Sequence, residues 1–551
     1  MEKRLLLAFV LSAAILVAWS IVFPPPRPGA PGEEAVPGPA GTARPTAVAG
    51  KPTAPAAAPA AAPPGPAAAV EAAPPATSGP PSATAVLEDA YLRLELAAAG
   101  GAVRSLVLKR YDDDEGRPLE LIQGLEHPAR LLPLQLAGPE GPDSRPYALE
   151  RVDRRTVRLV WSDGGGNAAV KEVRLEREPY RVHVTLRVYG SLRGWPVGLG
   201  TGMRNVGPRE LENRFARWGD VVVYRDGKLE RIRPDKLREG MEVPGAGVGF
   251  AGLADTYFLM VWRPATPLAA VRAAPLEVLT KEEAKKTKRP RWVARLEVVP
   301  AGERVEGELF AAPKEYDLLQ RVDEGVERTL RFGPFHPISV LFLKALRWLS
   351  AVTGNAGLAI ILLTLAIRVV LFPLMHKSTV SMRRMQKLQP KLKAIQEKYR
   401  KHKGDPRMRA KMNEELMELY RVEGVNPMGG CLPMLVQLPI LWALYTVFAY
   451  AIELRHAPFV FWITDLSAKD PYYVTPILMT FTMWLQQRMA PQMGDPQQQR
   501  MFRLMPLIFG IMFMGFPSGL VLYWLTNNVL TIVQQEVTFA LMGERPKRRR
   551  R

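Results

Sequence analysis

Apolar residues are not spread evenly along this chain. They gather in six stretches, at 5–23, 356–375, 431–452, 472–488, 501–516 and 518–538, most of them close to the ~20 residues that carry a helix across a hydrocarbon core. The last two form one run broken by Phe516-Pro517-Ser518-Gly519, long for a single helix and short for two. Basic residues decide the count. Lys3 and Arg4 hold the N-terminus inside, residues 377–421 are strongly basic, and the chain finishes in Pro546-Lys547-Arg548-Arg549-Arg550-Arg551. Two short spans in the last run leave that tail inside, whereas one would strand it outside. Both termini are therefore expected in the cytoplasm. The first stretch, followed by Pro24-Pro25-Pro26 and no small-residue cleavage site, reads as a retained anchor over 1–23.

A period-two pattern fills the region between the first two stretches. Leu92, Leu94 and Leu96 alternate with Arg93 and Glu95, and Tyr180, Val182, Val184, Leu186 and Val188 alternate with Arg181, His183, Thr185 and Arg187. Such runs, separated by turns such as Asp163-Gly164-Gly165-Gly166, predict an outer β-sandwich of roughly 240 residues over 86–330. Before it, 24–85 is dominated by Pro, Ala and Gly, too poor in large apolar side chains to bury a core, and predicts an extended linker. After it, 331–355 makes a connector or interfacial helix leading into a helical core at 356–540. Inside that core a 3-4-3-4 spacing appears at Met385, Leu388, Leu392, Ile395 and Tyr399, and again, past Gly404-Asp405-Pro406, at Met408, Met412, Leu416 and Leu419. It predicts an antiparallel helical hairpin over 378–423, with Pro390 kinking or delaying its first arm, and residues 541–551 form a basic tail.

Charge and composition refine this picture. The net charge of +20 over 551 residues is concentrated in the hairpin and tail. The hairpin bases Lys391, Lys393, Lys398 and Arg400 suit anionic lipid heads or ribosomal RNA and a targeting factor equally. The single cysteine, Cys431, excludes an intrachain disulfide, and no Cys/His metal spacing exists, so no cofactor is expected. The β-region carries few histidines (His127, His183 and His336) and no His-Glu-x-x-His, Gly-x-Ser-x-Gly or phosphate loop, so docking or spacing is expected of it and not catalysis.

Arg368 breaks the apolar pattern. The next polar residue is His376, which sets its backbone roughly 12 Å inside the hydrocarbon at the helical rise. A charge at that depth costs about 2.5–3.5 kcal/mol on insertion scales, and the plain explanation is a side chain that snorkels to the headgroups. Other polar residues recur in the spans: Thr364 one turn before Arg368, Gln437 between Pro433 and Pro439, then Thr480, Thr482 and Gln486, and finally Tyr523, Thr526, Asn527, Asn528, Thr531, Gln534 and Gln535. Asn527, Thr531 and Gln534 share a helix face. Singly, such residues are interhelical glue; around an arginine with no Asp or Glu in the middle of any span, they predict a concave polar surface. The partner of Arg368 is then water, backbone or a visiting ligand.

The stretch Arg368–Pro373, the hairpin with Leu388-Gln389-Pro390-Lys391-Leu392, and Val425-Asn426-Pro427-Met428-Gly429-Gly430-Cys431-Leu432-Pro433 resemble the YidC-type membrane protein insertases. So do Gln437-Leu438-Pro439-Ile440, Ala457-Pro458-Phe459, Asp465-Leu466-Ser467, Asp470-Pro471-Tyr472-Tyr473 and Phe516-Pro517-Ser518-Gly519-Leu520-Val521-Leu522-Tyr523, so that the likeness runs through nearly all of 336–540. The resemblance implies a multi-domain protein of the bacterial inner membrane, with a polytopic α-helical core, six spans in all of which five lie in the core, and a periplasmic all-β supersandwich like that of sugar mutarotases. It implies a chaperone that binds nascent membrane proteins in a hydrophilic intramembrane groove and releases their helices into the lipid bilayer, alone or with the Sec translocon. The groove arginine falls on Arg368, and groove-lining positions on Thr364, Gln437, Tyr523, Trp524, Asn527 and Asn528. Ribosome and signal-recognition contacts fall on Lys391, Lys393, Lys398, Arg400, Lys547 and Arg548. Two rival readings are a small-solute transporter, which should show inverted repeats that are not found, and a membrane-tethered carbohydrate-binding or carbohydrate-active protein resting on the β-region.

Overall fold

The period-two runs pair into antiparallel sheets. The structure, a computed structural model, describes residues 73–541 apart from 214–215, 238, 323–324, 401–404, 425–431 and 490–495. The largest sheet has nine strands in the order Lys228–Ile232, Asp220–Arg225, Val248–Ala254, Phe258–Pro264, Arg304–Pro313, Arg181–Tyr189, Ala168–Leu175, Thr156–Ser162 and Ala148–Arg151. Two four-stranded sheets accompany it, one ordered Thr84–Glu88, Leu92–Ala97, Ala102–Asp112, Pro118–Glu120 and the other Val197–Thr201, Trp292–Pro300, Leu268–Glu277, Met241–Pro244. Val182, Val184, Leu186 and Val188 are buried while Arg181, His183, Thr185 and Arg187 stand half exposed between them. A slip of one residue would turn that whole set outward, which is how alternation pins the register.

Residues 74–79, within the stretch assigned from sequence to the linker, already bond to the β-rich domain. Thr77 N donates to Ser162 O at 3.0 Å and Gly79 N to Pro146 O at 3.2 Å, and Ser162 Oγ donates to Pro74 O at 2.7 Å. Proline lacks a donor but keeps its carbonyl, so a Pro-rich segment can still lie along a sheet as an acceptor. The expected anchor and residues 24–72 of the linker lie outside the described residues.

The helical part comprises α1 (His336–Thr353), α2 (Ala356–Lys398), α3 (Pro406–Val422), α4 (Leu432–Tyr450), α5 (Val474–Met489), α6 (Pro496–Phe513) and α7 (Ser518–Leu541). Gly354, at φ +67°, ends α1, and the Asn355 side chain caps the Leu358 N–H of α2 at 3.0 Å. Helix α2 has 43 residues, which at 1.5 Å each is roughly 64 Å, twice the ~30 Å of a hydrocarbon core. It therefore forms both the second apolar stretch and the first arm of the hairpin, and it runs on through Pro390, where a kink or a delayed helix start was expected. The seam holds it there: Met385 and Leu388, both within five residues before Pro390, are buried with Leu392 and Tyr420 against them. Ion pairs Lys391–Glu423 and Lys398–Glu415, both 2.5 Å, and Tyr399 Oη on Glu415 at 2.9 Å close the hairpin.

Among the described residues two helical stretches are long and apolar enough to cross a membrane, Gly333–Thr353 and Ala356–Lys398, with shorter apolar helices at Leu435–Tyr450 and Arg503–Phe513. The first is the segment assigned from sequence to a connector; it leaves Leu341, Trp348 and Val352 exposed along one side. The break at Phe516-Pro517-Ser518-Gly519 is a turn tied to the loop before α5, with Ser518 N on Ala468 O at 2.7 Å and Gly519 N on Leu466 O at 2.9 Å. Gly510 of α6 lets the helix press on α5, since a Cβ there would lie 2.1 Å from Thr480 Oγ1.

Where the β-rich domain meets the helices, half-buried ionisable groups gather. Glu453, just past α4, has Arg347 Nε at 3.7 Å, and Arg347 Nη1 binds Asp317 at 2.5 Å. Burial pushes the Glu453 carboxyl up to about 7, Glu315 and Asp317 adding to the shift and Arg347 opposing it. A carboxyl raised above its ordinary 4.5 keeps a proton that the unfolded chain releases, so stability falls as pH rises from about 4.5 to 7 and the penalty is complete above that. Glu453→Gln is therefore expected to raise the melting temperature at pH 8 and to leave it unchanged at pH 4. An identical shift at both pH values would show that Glu453 does not titrate in that window.

Candidate functional site

Helices α2 and α7 lie side by side, and Arg368 reaches across between them. Its Nε and Nη2 donate to Asn527 Oδ1 at 2.9 and 2.6 Å, and Nη2 also reaches Thr531 Oγ1 at 2.6 Å and Asn527 O at 3.4 Å. Thr531 Oγ1 in turn donates to Asn527 O at 2.7 Å. Every acceptor is neutral. The side chain is held in place by three oxygens that cancel none of its charge, and among the described residues no carboxylate lies within ion-pair distance and Nη1 makes no hydrogen bond. Arg368 is half-buried, neither sealed in the bundle nor extended to solvent. Sequence reasoning left its partner as water, backbone or visitor; the structure supplies an amide and a hydroxyl of the last helix besides one backbone carbonyl. Thr531 was visible in the sequence only as a neighbour of Asn527 on one face.

The other expected positions separate into distinct contacts. Gln437 Nε2 of α4 donates to Tyr523 Oη at 3.4 Å, and Tyr523 is buried with its ring 5.6 Å from that of Phe448. Asn528 is buried and faces α5, its Nδ2 on Thr482 Oγ1 at 3.3 Å. Thr364, also buried, bonds back to Ile360 O of its own helix at 2.7 Å. Trp524 packs on Phe513 at 5.0 Å. Towards the hairpin end, His376 Nδ1 lies 3.2 Å from Thr538 Oγ1, a contact the sequence reading missed.

Three amide atoms around this region, Gln437 Oε1, Gln534 Nε2 and Gln535 Oε1, are shielded from solvent and without a partner among the described residues. Buried polar atoms cost free energy unless something bonds them, so each of these three amide atoms is a place where water or a polar ligand would be accommodated. On the hairpin, Lys391 and Lys398 are tied to glutamates, whereas Lys393 and Arg400 are exposed and unpaired among the described residues. Lys547 and Arg548 lie outside the described residues.

Comparison with known proteins agrees with this division of the chain. Residues 348–545 match the family described as 60Kd inner membrane protein, and residues 84–345 match the YidC periplasmic domain. A membrane protein insertase YidC of Geobacter metallireducens is 35% identical over 567 residues, covering 97% of this chain and 98% of that protein. One of Geobacter sulfurreducens is 36% identical over 550 residues, with the same coverage of 97% and 98%. A crystal structure of an active YidC insertase with its first transmembrane domain resolved is 21% identical, covering 83% of this chain and 94% of that one, with a TM-score of 0.34. With a helical membrane core and a β-rich periplasmic domain matched in turn, and more than a third of residues shared along almost the full length of such relatives, the chain belongs to the YidC family of membrane protein insertases.

Proposed function

We propose that the cleft between α2, α4, α5 and α7 receives a segment of a nascent membrane protein and passes its helix sideways into lipid. The observation that carries this reading is the guanidinium of Arg368, oriented by Asn527 and Thr531 and left without a carboxylate among the described residues. A fixed cation in a medium less polarisable than water attracts an acidic or polar segment strongly, and desolvation offsets part of the gain. Once that segment moves outward, the apolar helix behind it partitions along the exposed outer surfaces of α4 and α6, which carry Trp442, Leu504, Leu507, Ile508 and Ile511. The membrane potential assists each acidic charge by about 2.3 kcal/mol per 100 mV.

In this reading the chain crosses the inner membrane six times, by the anchor in 1–23 and by α2, α4, α5, α6 and α7, with both termini and the α2–α3 hairpin in the cytoplasm. The nine-stranded and four-stranded sheets form the periplasmic supersandwich, and α1 lies in the interface. Lys393 and Arg400 are among the hairpin cations without a partner among the described residues and would meet a ribosome or its targeting machinery, and larger substrates are handed over beside the Sec translocon. Full-length protein in liposomes free of translocon is expected to insert a small two-span protein, read as protection from added protease. No protection above that of empty liposomes would sink the autonomous part of the reading.

A further inference from the structure

A crevice of about 160 Å³ opens where the β-rich domain overhangs the loop before α5, and its lining includes Arg209, Glu212, Trp462, Asp465, Lys469 and Ser518. Ser518 begins α7 and Val474 begins α5, so the crevice sits at the level where those helices leave the hydrocarbon on the periplasmic side. Its charges are balanced. Arg209 is exposed, and its guanidinium makes no hydrogen bond or ion pair with any described residue. Lys469 Nζ lies 3.0 Å from Glu212 Oε2 and 3.5 Å from Tyr473 Oη. The buried Asp465 accepts at Oδ1 from His456 N, Ser467 N and Ser467 Oγ at 3.1, 2.8 and 2.8 Å, while its Oδ2 takes no hydrogen bond from the described residues. An anion alone would be opposed by the two carboxylates and a cation alone by the two bases. A zwitterion with its charges a few bonds apart meets both.

The rim indicates where such a zwitterion comes from. Phe461 is 89% exposed and Tyr472 67% exposed. Trp462 lies between them, 5.8 Å from the first ring and 6.2 Å from the second, with its indole N–H on Asp470 at 3.0 Å. Phe461 holds its ring outward from a left-handed backbone at φ +53°, a conformation that costs a bulky residue free energy, within a loop closed by Phe459 N on Ile463 O at 2.9 Å. Outward aromatic rings at helix ends belong to the headgroup layer of a bilayer. We propose that the crevice binds the phosphoethanolamine headgroup of a phospholipid in the periplasmic leaflet, its phosphate towards Arg209 and Lys469, its ammonium towards Asp465 and Glu212, and its acyl chains leaving past Phe461 and Tyr472.

The test uses full-length protein, delipidated in detergent and given phosphatidylethanolamine, phosphatidylcholine or phosphatidylglycerol of equal acyl length, with retained lipid counted by native mass spectrometry. One phosphatidylethanolamine is expected to be held at about tenfold lower concentration than the other two, since its ammonium alone can donate charge-assisted hydrogen bonds to the carboxylates, phosphatidylcholine having no N–H and phosphatidylglycerol no cation. Glu212→Gln, which takes a carboxylate away from the ammonium, is expected to remove that preference, whereas Arg209→Glu, at an exposed position, is expected to weaken retention of all three lipids by repelling the phosphate they share. Equal retention of all three lipids, an undiminished preference in Glu212→Gln, or undiminished retention in Arg209→Glu overturns the proposal. Soluble phosphoethanolamine binding as tightly as the lipid would overturn its assignment to the membrane.

Discussion

Replacing Arg368 by alanine is expected to slow insertion of a substrate with an acidic translocated tail by tenfold or more, and that of a neutral-tailed twin by less than about twofold. The magnitude follows from the site. Two charges 4 Å apart at an effective dielectric of 20 attract by about 4 kcal/mol. Loss of hydration takes back a large share, which leaves roughly the 1.5–3 kcal/mol typical of a hydrogen bond to a charged group. Because Asn527 and Thr531 are neutral, the charge is not already satisfied within the protein and remains available to the tail. Arg368→Lys separates charge from geometry. An ammonium keeps the charge but cannot reproduce the fork by which Nε and Nη2 grip Asn527 Oδ1 together, so an intermediate rate is expected for acidic tails. The measurement is protease protection of the paired substrates in liposomes. Equal losses for both tails would mean that the alanine damages the bundle, and unimpaired insertion of the acidic tail would refute the electrostatic role.

How far the site could be read from sequence depends on the range of the interaction. Arg368 was legible because one charge in an apolar run is a local anomaly, and Asn527 with Thr531 because helical spacing puts them on one face. That this face meets α2 is a matter of helix packing, which no local pattern records. Thr364 looked like part of the groove for the same local reason, one turn from Arg368, yet its hydroxyl bonds back to Ile360 O, a habit of threonine in helices that competes with any outward role. Asn528 likewise turns to Thr482 on α5. In the β-rich domain, alternation at 180–188 fixed which side chains are inside, whereas the bonds of Pro74 and Thr77 in the Pro-rich segment depend on Ser162, in a strand far along the chain. Continuation of α2 through Pro390 was hidden because the seam contacts that offset the proline come from α3.

The least legible feature predicts the largest loss of stability. Arg204, Glu210 and Asp255 come from the β-rich domain and Arg455 from the loop after α4, and no motif joins them. Glu210 binds Arg204 through one oxygen and Arg455 Nε through the other at 2.7 Å. Arg204 also binds Asp255, and Arg455 Nη1 reaches Asp112 O at 2.7 Å. Their side chains are 2%, 7% and 3% exposed for Arg204, Glu210 and Arg455. Burial alone would raise the Glu210 carboxyl, but the two guanidinium groups hold it below its ordinary value. Glu210→Ala leaves two buried cations facing one carboxylate, Asp255, that bonds Arg204 and the N–H groups of Tyr257 and Phe258, and removing a partner from such a network costs about 3–5 kcal/mol. Arg455→Met costs less, because Glu210 keeps Arg204 and the methionine can fill the space beside Phe258, over whose ring Arg455 lies at 5.4 Å. The expected order in denaturant unfolding of the detergent-solubilised chain is therefore Glu210→Ala well below Arg455→Met, with wild type highest. The weakness should centre on the loop that carries Arg455, which becomes open to protease in Glu210→Ala before the β-sheets unfold. Equal stability of the two variants would mean that the buried charges are not coupled. Loss confined to the sheets, with that loop still protected, would mean that Glu210 stabilises its own domain and does not fasten it to the membrane core.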